Sequence, residues 1–228
     1  METVAPAGSP EILETPEALG ALVAEYPHGR VPRELRRRQV IAVATALFIE
    51  RGYVGVSMEE VARRAGVTKP VVYDLAGSKD QLFHEIVMAE AQRLAARVQR
   101  AVESEPESAL KLRAGTLAFF EFIGDRRAAW RSLMAQPEAP LTTQMAGARR
   151  FHAGSVASLL AKASVESGRA VSPLVLDALA HAINGATEAL ALWWNDHPEL
   201  TPEQLADLTH RLVGPGLLLF GEADALTT

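Results

Sequence analysis

The sequence predicts an all-α fold in two parts, and three observations carry that expectation. Apolar residues recur at three- and four-residue spacings along most of the chain, the pattern of helices that bury one face. Capping residues stand directly before several of these stretches: Ser57 with Glu60, Ser78 with Gln81, Ser172 before Pro173, and Thr201 before Pro202 with Gln204. Such pairs satisfy the free N–H groups of a first helical turn, where proline is also tolerated because it has no N–H to leave unpaired. Alternating strand patterns and fixed repeats are lacking.

Residues 1–29 are expected to form an acidic flexible arm, with five glutamates, four prolines and no Lys or Arg. The alternative is a short docked helix from Pro16 to Tyr26, capped by Thr15 and striped by Leu19, Leu22 and Val23. Residues 30–80 form the first folded part. Pro32 to Arg51 makes a helix whose Ile41, Ala44 and Phe48 share one face. The capping pair Ser57 and Glu60 starts the next near Met58, with Val61, Ala62 and Ala65 inward and Arg63 and Arg64 outward. Gly66 then supplies the left-handed residue that reverses the chain. Val67 is an apolar plug, Thr68 a second N-cap, Lys69 a cation, Pro70 a first-turn proline and Val72 an inward anchor beside Tyr73. Two short helices around a glycine turn, supported by a third, are the helix-turn-helix with which one helix is pressed into DNA. A helical hairpin used only for packing is the other reading.

Residues 81–222 are expected to be a helical body, with a flexible tail at 223–228. The predicted helices run from Ser78 to Ser104, Pro106 to Gly124, Arg126 to Gln136, Leu141 to Ser167, Pro173 to Asp196 and Pro202 to Gly221. Gly214-Pro215-Gly216 is expected to kink or break the last of them.

From Arg36 to Phe83 the ordered set Ile41, Ala44, Phe48, Gly52, Ser57, Val61-Ala62, Ala65-Gly66-Val67, Tyr73 and Ser78-Lys79-Asp80 with Leu82 resembles the tetracycline-repressor (TetR) family of bacterial transcriptional regulators. The resemblance implies a homodimer with an N-terminal helix-turn-helix DNA-binding domain and a helical effector-binding and dimerisation domain. It also implies a palindromic double-stranded DNA operator, and a small-molecule effector that releases it. This chain departs from the family where His or Tyr is commonly followed by Phe: it carries Leu75 and Ala76. Leucine cannot hold a phosphate, and the neighbouring Asp74 repels the DNA backbone unless it is turned away or paired.

Charge agrees with that placement. Arg30 to Asp80 carries ten Lys or Arg against six Asp or Glu, whereas the whole chain carries 23 against 28. A local basic cluster suffices, because acids more than about 8–10 Å away are screened. The candidate DNA-binding residues are Arg36, Ser57, Thr68, Lys69, Val71, Tyr73 and Lys79. Lys69 or Val71 is placed to read base edges and Lys79 to meet phosphate at a helix N-terminus. For Arg36, Arg37 and Arg38 a solvated charge run is the alternative, as capping is for Thr68 and simple packing for Tyr73.

Leu174 to Trp194 contains only two carboxylates and no Lys or Arg, and Leu212 to Phe220 has no charge, so both helices must be covered on more than one side. A four-helix seam between two subunits meets that need, and packing within one subunit meets part of it. Asp177, His181, Asn184 and Glu188 fall on one face. They line an effector pocket, bond across the seam, or face water. Asp177 and His181 alone do not establish a metal site. With His181, Asn184 and Glu188, the candidate pocket takes Phe119, Phe122, Trp130, Met134 and Phe151, Phe120 being a further wall, and suits an apolar or amphipathic effector.

Cysteine is absent, which excludes disulfides and thiolate metal sites. The N-terminus lacks the order of a secretion signal, and no apolar run approaches the ~18 residues of a membrane span. Cytoplasm is the expected compartment and no cofactor is expected. No P-loop, dinucleotide fingerprint or catalytic histidine set stands out, so an enzyme is not expected. The expectation is a ligand-responsive repressor, with a non-catalytic helical interaction protein as the alternative.

Overall fold

A computed structural model describes residues 15–26, 31–127, 139–168 and 170–219, without the side chains of 139–144 and 217–219. The described residues are helical, with no strand among them. The helices are α1 (Pro16–Ala24), α2 (Arg33–Arg51), α3 (Met58–Ala65), α4 (Lys69–Ala76), α5 (Lys79–Ser104), α6 (Lys111–Asp125), α7 (Ala139–Glu166), α8 (Pro173–Trp194) and α9 (Pro202–Leu219). The chain divides into two compact units, residues 1–83 and 84–228.

In the first unit, α1 packs on α2. Thr15 caps it through the Ala18 N–H at 3.1 Å, and Leu19 is fully buried. Residues 15–26 therefore take the alternative, docked form rather than that of a free arm, because one leucine on an apolar stripe finds a covered place on α2. Residues 1–14 and the tail at 223–228 lie outside the described residues. Val40, Ala44 and Leu47 of α2, Val61 of α3, Val72 of α4 and Leu82 of α5 are wholly buried together. Full burial of each larger side chain contributes roughly 1.5–3 kcal/mol. Phe83 stands edge-on to both Phe48 and Tyr53 at 5.0 Å, and the Tyr53 hydroxyl donates to Asp80.

The turn has the predicted chemistry. Gly66 sits at φ 65°, with its own N–H on the Arg63 carbonyl and that of Val67 on the Ala62 carbonyl at 3.0 Å, which closes the end of α3. Gly77 ends α4 at φ 70°, and a Cβ there would stand 2.4 Å from the Gln81 amide oxygen. That amide completes a two-way box with Ser78: its oxygen takes the Ser78 N–H at 2.8 Å, and the Gln81 N–H reaches Ser78 Oγ at 3.2 Å. Thr201 and Gln204 repeat the box before α9.

In the second unit α6 packs on α9 and α7 on α8. Phe120, Ile123, Ala191, Trp194, Leu205 and Ala206 form the centre of its core. The Trp194 indole N–H donates to the Leu200 carbonyl at 2.8 Å, and the Arg127 guanidinium covers its ring at 4.4 Å. Two expectations are corrected. The helix expected from Pro106 begins at Lys111, after a 3-10 turn at Ser108–Leu110 that the Leu110 N–H closes on the Glu107 carbonyl. Of the kink or break expected at Gly214-Pro215-Gly216, the break does not occur: α9 continues through Pro215, whose position and that of Arg211, four residues back, are exposed, so water can take the carbonyl that proline leaves without a donor. Most of the helix expected at Arg126 to Gln136 lies outside the described residues.

Candidate nucleic-acid interface and ligand cavity

The α4 helix has two distinct faces. Val72 is 0% exposed, and Leu75 and Ala76 are buried beside it at 8% and 7%. Thr68, Lys69 and Pro70 are exposed, with Val71 at 37% and Tyr73 at 46%. Leu75 and Ala76 thus anchor the helix rather than face a duplex. Thr68 has the extended backbone of an N-cap but makes no side-chain capping bond, which leaves its hydroxyl for another partner.

The acid on this helix is paired. Arg33 of α2 reaches the Asp74 carboxylate and donates to the Asp74 backbone carbonyl at 2.9 Å. Arg37 donates to the Leu75 carbonyl at 3.1 Å. The last turn of α4 holds no basic residue of its own. Two arginines from the first turns of α2 supply the positive charge that the free carbonyls of a helix end favour. Sequence reasoning missed Arg33, because the pair spans 41 residues and nothing local signals it.

The remaining candidates divide. Arg36 turns to Gln39, donating to its amide oxygen at 2.9 Å, and is half-buried. Ser57 is exposed and accepts the Glu60 N–H at 3.1 Å. The Glu60 carboxylate is held by Arg63 at 2.7 Å and Arg64 at 3.3 Å, with Arg51 at 3.6 Å. Its hydrogen bond to Arg63 holds the carboxyl below its usual range. Lys79 lies half-buried with its ammonium 4.2 Å from the centre of the Tyr53 ring.

The second unit contains a cavity of about 600 Å³ bounded by α5, α6, α7 and α8. Of the residues expected to form a pocket, Phe119 and Asn184 line it. Phe122 is buried under the Arg126 guanidinium instead, and Phe151 is exposed. Trp130 and Met134 lie outside the described residues. The polar stripe on α8 splits three ways. Asn184 meets the cavity, Glu188 is bound by Arg149 of α7 at 2.7 Å, and His181 faces outward with Asp177, their side chains 3.6 Å apart. Among the described residues no cluster of three or more metal-binding side chains occurs.

The wall residue that sequence reasoning missed is His152. It stacks on Phe119 at 6.1 Å, and its Nδ1 is buried without a hydrogen-bond partner. Burial pushes its pKa down to about 4, so the ring is neutral at pH 7. Leu176, Ile183 and Thr187 also line the cavity. A histidine within an Arg-Arg-Phe-His run carries no local mark of burial, so only the approach of α6 exposes its role. At the other end Lys111 pairs with Glu166 at 2.8 Å and Lys162 with Glu103 at 3.3 Å. Hydrogen bonds from Lys111 and from Gln99 hold Glu166 and Glu103 below the usual carboxylate range, so both stay ionised.

A glycine-hinged helix pair with one apolar face anchored and one polar, cationic face open, resting on a third helix, defines a helix-turn-helix DNA-binding protein. Residues 40–86 match the family of bacterial regulatory proteins described as tetR, and residues 109–214 match the tetracyclin repressor-like C-terminal domain. The chain belongs to the TetR family of bacterial transcriptional regulators.

Among curated relatives it is 38% identical over 94 residues to the transcriptional activator FasR of Mycolicibacterium smegmatis, a match that spans 41% of this chain and 43% of that one. It is 25% identical over 189 residues to the regulator EthR of the same species, covering 77% of this chain and 83% of the relative. The chain thus matches less than half the length of FasR. A TetR-like regulator from Rhodococcus sp. RHA1 is 27% identical with a TM-score of 0.59, over 83% of this chain and 100% of that structure. The fold is also that of FadR from Bacillus subtilis, solved in complex with stearoyl-CoA, with a TM-score of 0.63 at 15% identity over 78% of this chain and 97% of that one.

Proposed function

We propose that this regulator binds a palindromic double-stranded operator as a homodimer, and that a small molecule in the second unit's cavity controls that binding. The open face of α4 carries the reading. Lys69 and Val71 are exposed where a helix entering the major groove presents base-reading groups, and Thr68 and Tyr73 have hydroxyls for phosphate. Ser57 and Lys79 stand at the starts of α3 and α5, where the first-turn N–H groups not taken by the Ser57 and Ser78 caps favour an anion. Arg36, held by Gln39, takes a supporting place.

Dimerisation is supported by the uncovered face of α8 and α9. Leu174 and Leu212 are 70% and 73% exposed, and between them on α8 run the small exposed residues Ala178, Ala182, Gly185 and Ala189. Small residues let helix backbones approach closely, so a two-fold copy of this face would bury both leucines. A regulator of this kind works in the cytoplasm, and no described helix is long and apolar enough to cross a membrane.

The coupling runs through α5, which begins beside the reader helix in sequence and ends on the cavity wall. An effector that binds the DNA-free arrangement more tightly shifts the population off the operator. Release of a repressor is the first reading. The name of the FasR relative favours a second, activation, in which the same effector governs a regulator that recruits transcription.

Selection of bound fragments from genomic DNA, followed by gel-shift titration, tests the reading. Lys69→Ala and Tyr73→Phe are expected to weaken operator binding, Lys69→Ala by roughly five- to tenfold or more, with unchanged thermal unfolding. Wild-type affinity in both variants, or sedimentation as a monomer alone at micromolar concentration, contradicts it.

A further inference from the structure

The cavity has two chemically different ends, and the contacts across it fix which is which. Lys111 of α6 meets Glu166 of α7, while Phe119, eight residues further along α6, stacks on His152, which precedes Glu166 in the chain. The two helices therefore run antiparallel, with the contacts separated by about 12 Å of α6. The Lys111 end includes the exposed Lys162 and Glu103, so it is the mouth. At the Phe119 end the lining side chains are covered, with Phe119 6% exposed and His152 Nδ1 buried, and on that burial it is taken as the enclosed end. The Arg149–Glu188 ion pair sets the register of α7 against α8, and antiparallel counting from it brings the turn of His152 beside that of Asn184.

We propose that this cavity selects an elongated aliphatic molecule bearing one uncharged oxygen function, a hydroxyl or an ester-type carbonyl, which His152 and Asn184 read at the enclosed end. The proposal rests on the cavity being the effector site. Three observations lead to it. The wall between the ends is mostly apolar, with Val98, Val102, Leu159, Leu176 and Ile183 on it and the Thr116 and Thr187 hydroxyls donating back to their own helices, and its volume suits a medium-length chain. Both wall lysines already hold a carboxylate, so an anionic ligand entering here would lose its hydration without gaining a free cation. At the enclosed end, the neutral His152 has a buried ring nitrogen without a partner. A ring flip about Cβ–Cγ offers either nitrogen to the space, as donor or acceptor according to tautomer, and the Asn184 amide offers both kinds of group. A hydroxyl matches every combination, and a carbonyl matches a donor from either residue. A plain hydrocarbon satisfies none of them.

Equilibrium dialysis of the full chain near neutral pH against 1-decanol, decanoate and decane tests the selection. The alcohol is expected to bind at least about tenfold more tightly than either of the others, the ratio that one well-made buried hydrogen bond supplies. His152→Phe should reduce the margin over decane to about threefold or less, while decane still binds, which shows the cavity intact. Asn184→Leu is the second variant, read in the same way should His152→Phe fail to fold. The proposal is overturned when decanoate equals or exceeds decanol, when decanol and decane bind alike to the wild type, or when the folded variants keep the full margin. It is overturned equally when none of the three binds. Operator gel shifts run in parallel separate the two readings. Release of DNA by decanoate keeps the cavity as an effector site and removes only its preference for uncharged oxygen, whereas loss of DNA binding by the unliganded wild type sinks the regulator's reading itself.

Discussion

The two units are built from the same helical material to opposite ends. In the first, α2, α3, α4 and the start of α5 meet around side chains that are completely covered, and Leu75 and Ala76 are buried with them as anchors of the reader helix. In the second, α5, α6, α7 and α8 border a cavity of about 600 Å³. A reader helix must hold a fixed orientation against base edges, which close packing provides. A responsive domain must accept a guest, and an uncollapsed space between helices provides that.

The largest expected effect breaks this contrast directly. Phe83→Ala, at the three-ring cluster with Phe48 and Tyr53, should destabilise the first unit by about 3–5 kcal/mol and abolish operator binding. Leu179→Ala, on the cavity wall, removes atoms that already face empty space and should cost less than about 2 kcal/mol. Denaturant melts of the two variants compare them, and equal losses would mean that the cavity is closed in solution.

Next comes proton linkage at His152. Its pKa falls from 6.5 to about 4 on folding, so the unfolded chain binds more protons between those values. Stability is therefore full above about pH 6.5 and is lost as pH falls toward 4, by up to about 3 kcal/mol. Thermal unfolding across that window should show the slope in the wild type and a shallower one in His152→Phe. The reader unit carries no corresponding buried histidine among its described residues.

A smaller effect concerns space itself. Ala163→Leu puts extra atoms into the cavity and should change stability by less than about 1 kcal/mol while weakening ligand binding. Retained ligand affinity would show that the guest sits elsewhere. The smallest concerns Arg33 and Asp74, an exposed pair whose direct worth is about 0–1 kcal/mol. Arg33→Ala leaves Asp74 uncompensated beside the reader face, and operator affinity should fall by roughly two- to fivefold, most at low salt. Asp74→Asn added to Arg33→Ala should restore much of it. A gel-shift series over salt reads both variants.

Much of the reader was legible in advance for local reasons. Ser57, Gly66 and Ser78 mark helix ends through bonds to residues within a few positions, and the helical spacing sorts Val72 inward and Tyr73 outward. The cavity was legible only in part. Phe119 and Asn184 are on its wall, yet His181 and Glu188, on the same side of α8 by spacing, point to water and to Arg149. A helical stripe is wide enough that neighbours three or four residues apart meet different surroundings, so spacing cannot separate them.

Sequence alone determined the all-helical character, the order and most of the limits of the helices, and the sidedness of α4. Each follows from caps, glycines and periodicity that act within one or two turns. Tertiary structure decided that α1 docks, that Arg33 and Arg37 close the end of α4, that Leu75 is an anchor, and that His152 lies at the enclosed end of a cavity. Each of these depends on side chains brought together from helices far apart in the chain, where burial, pairing and empty space arise only once the helices have packed.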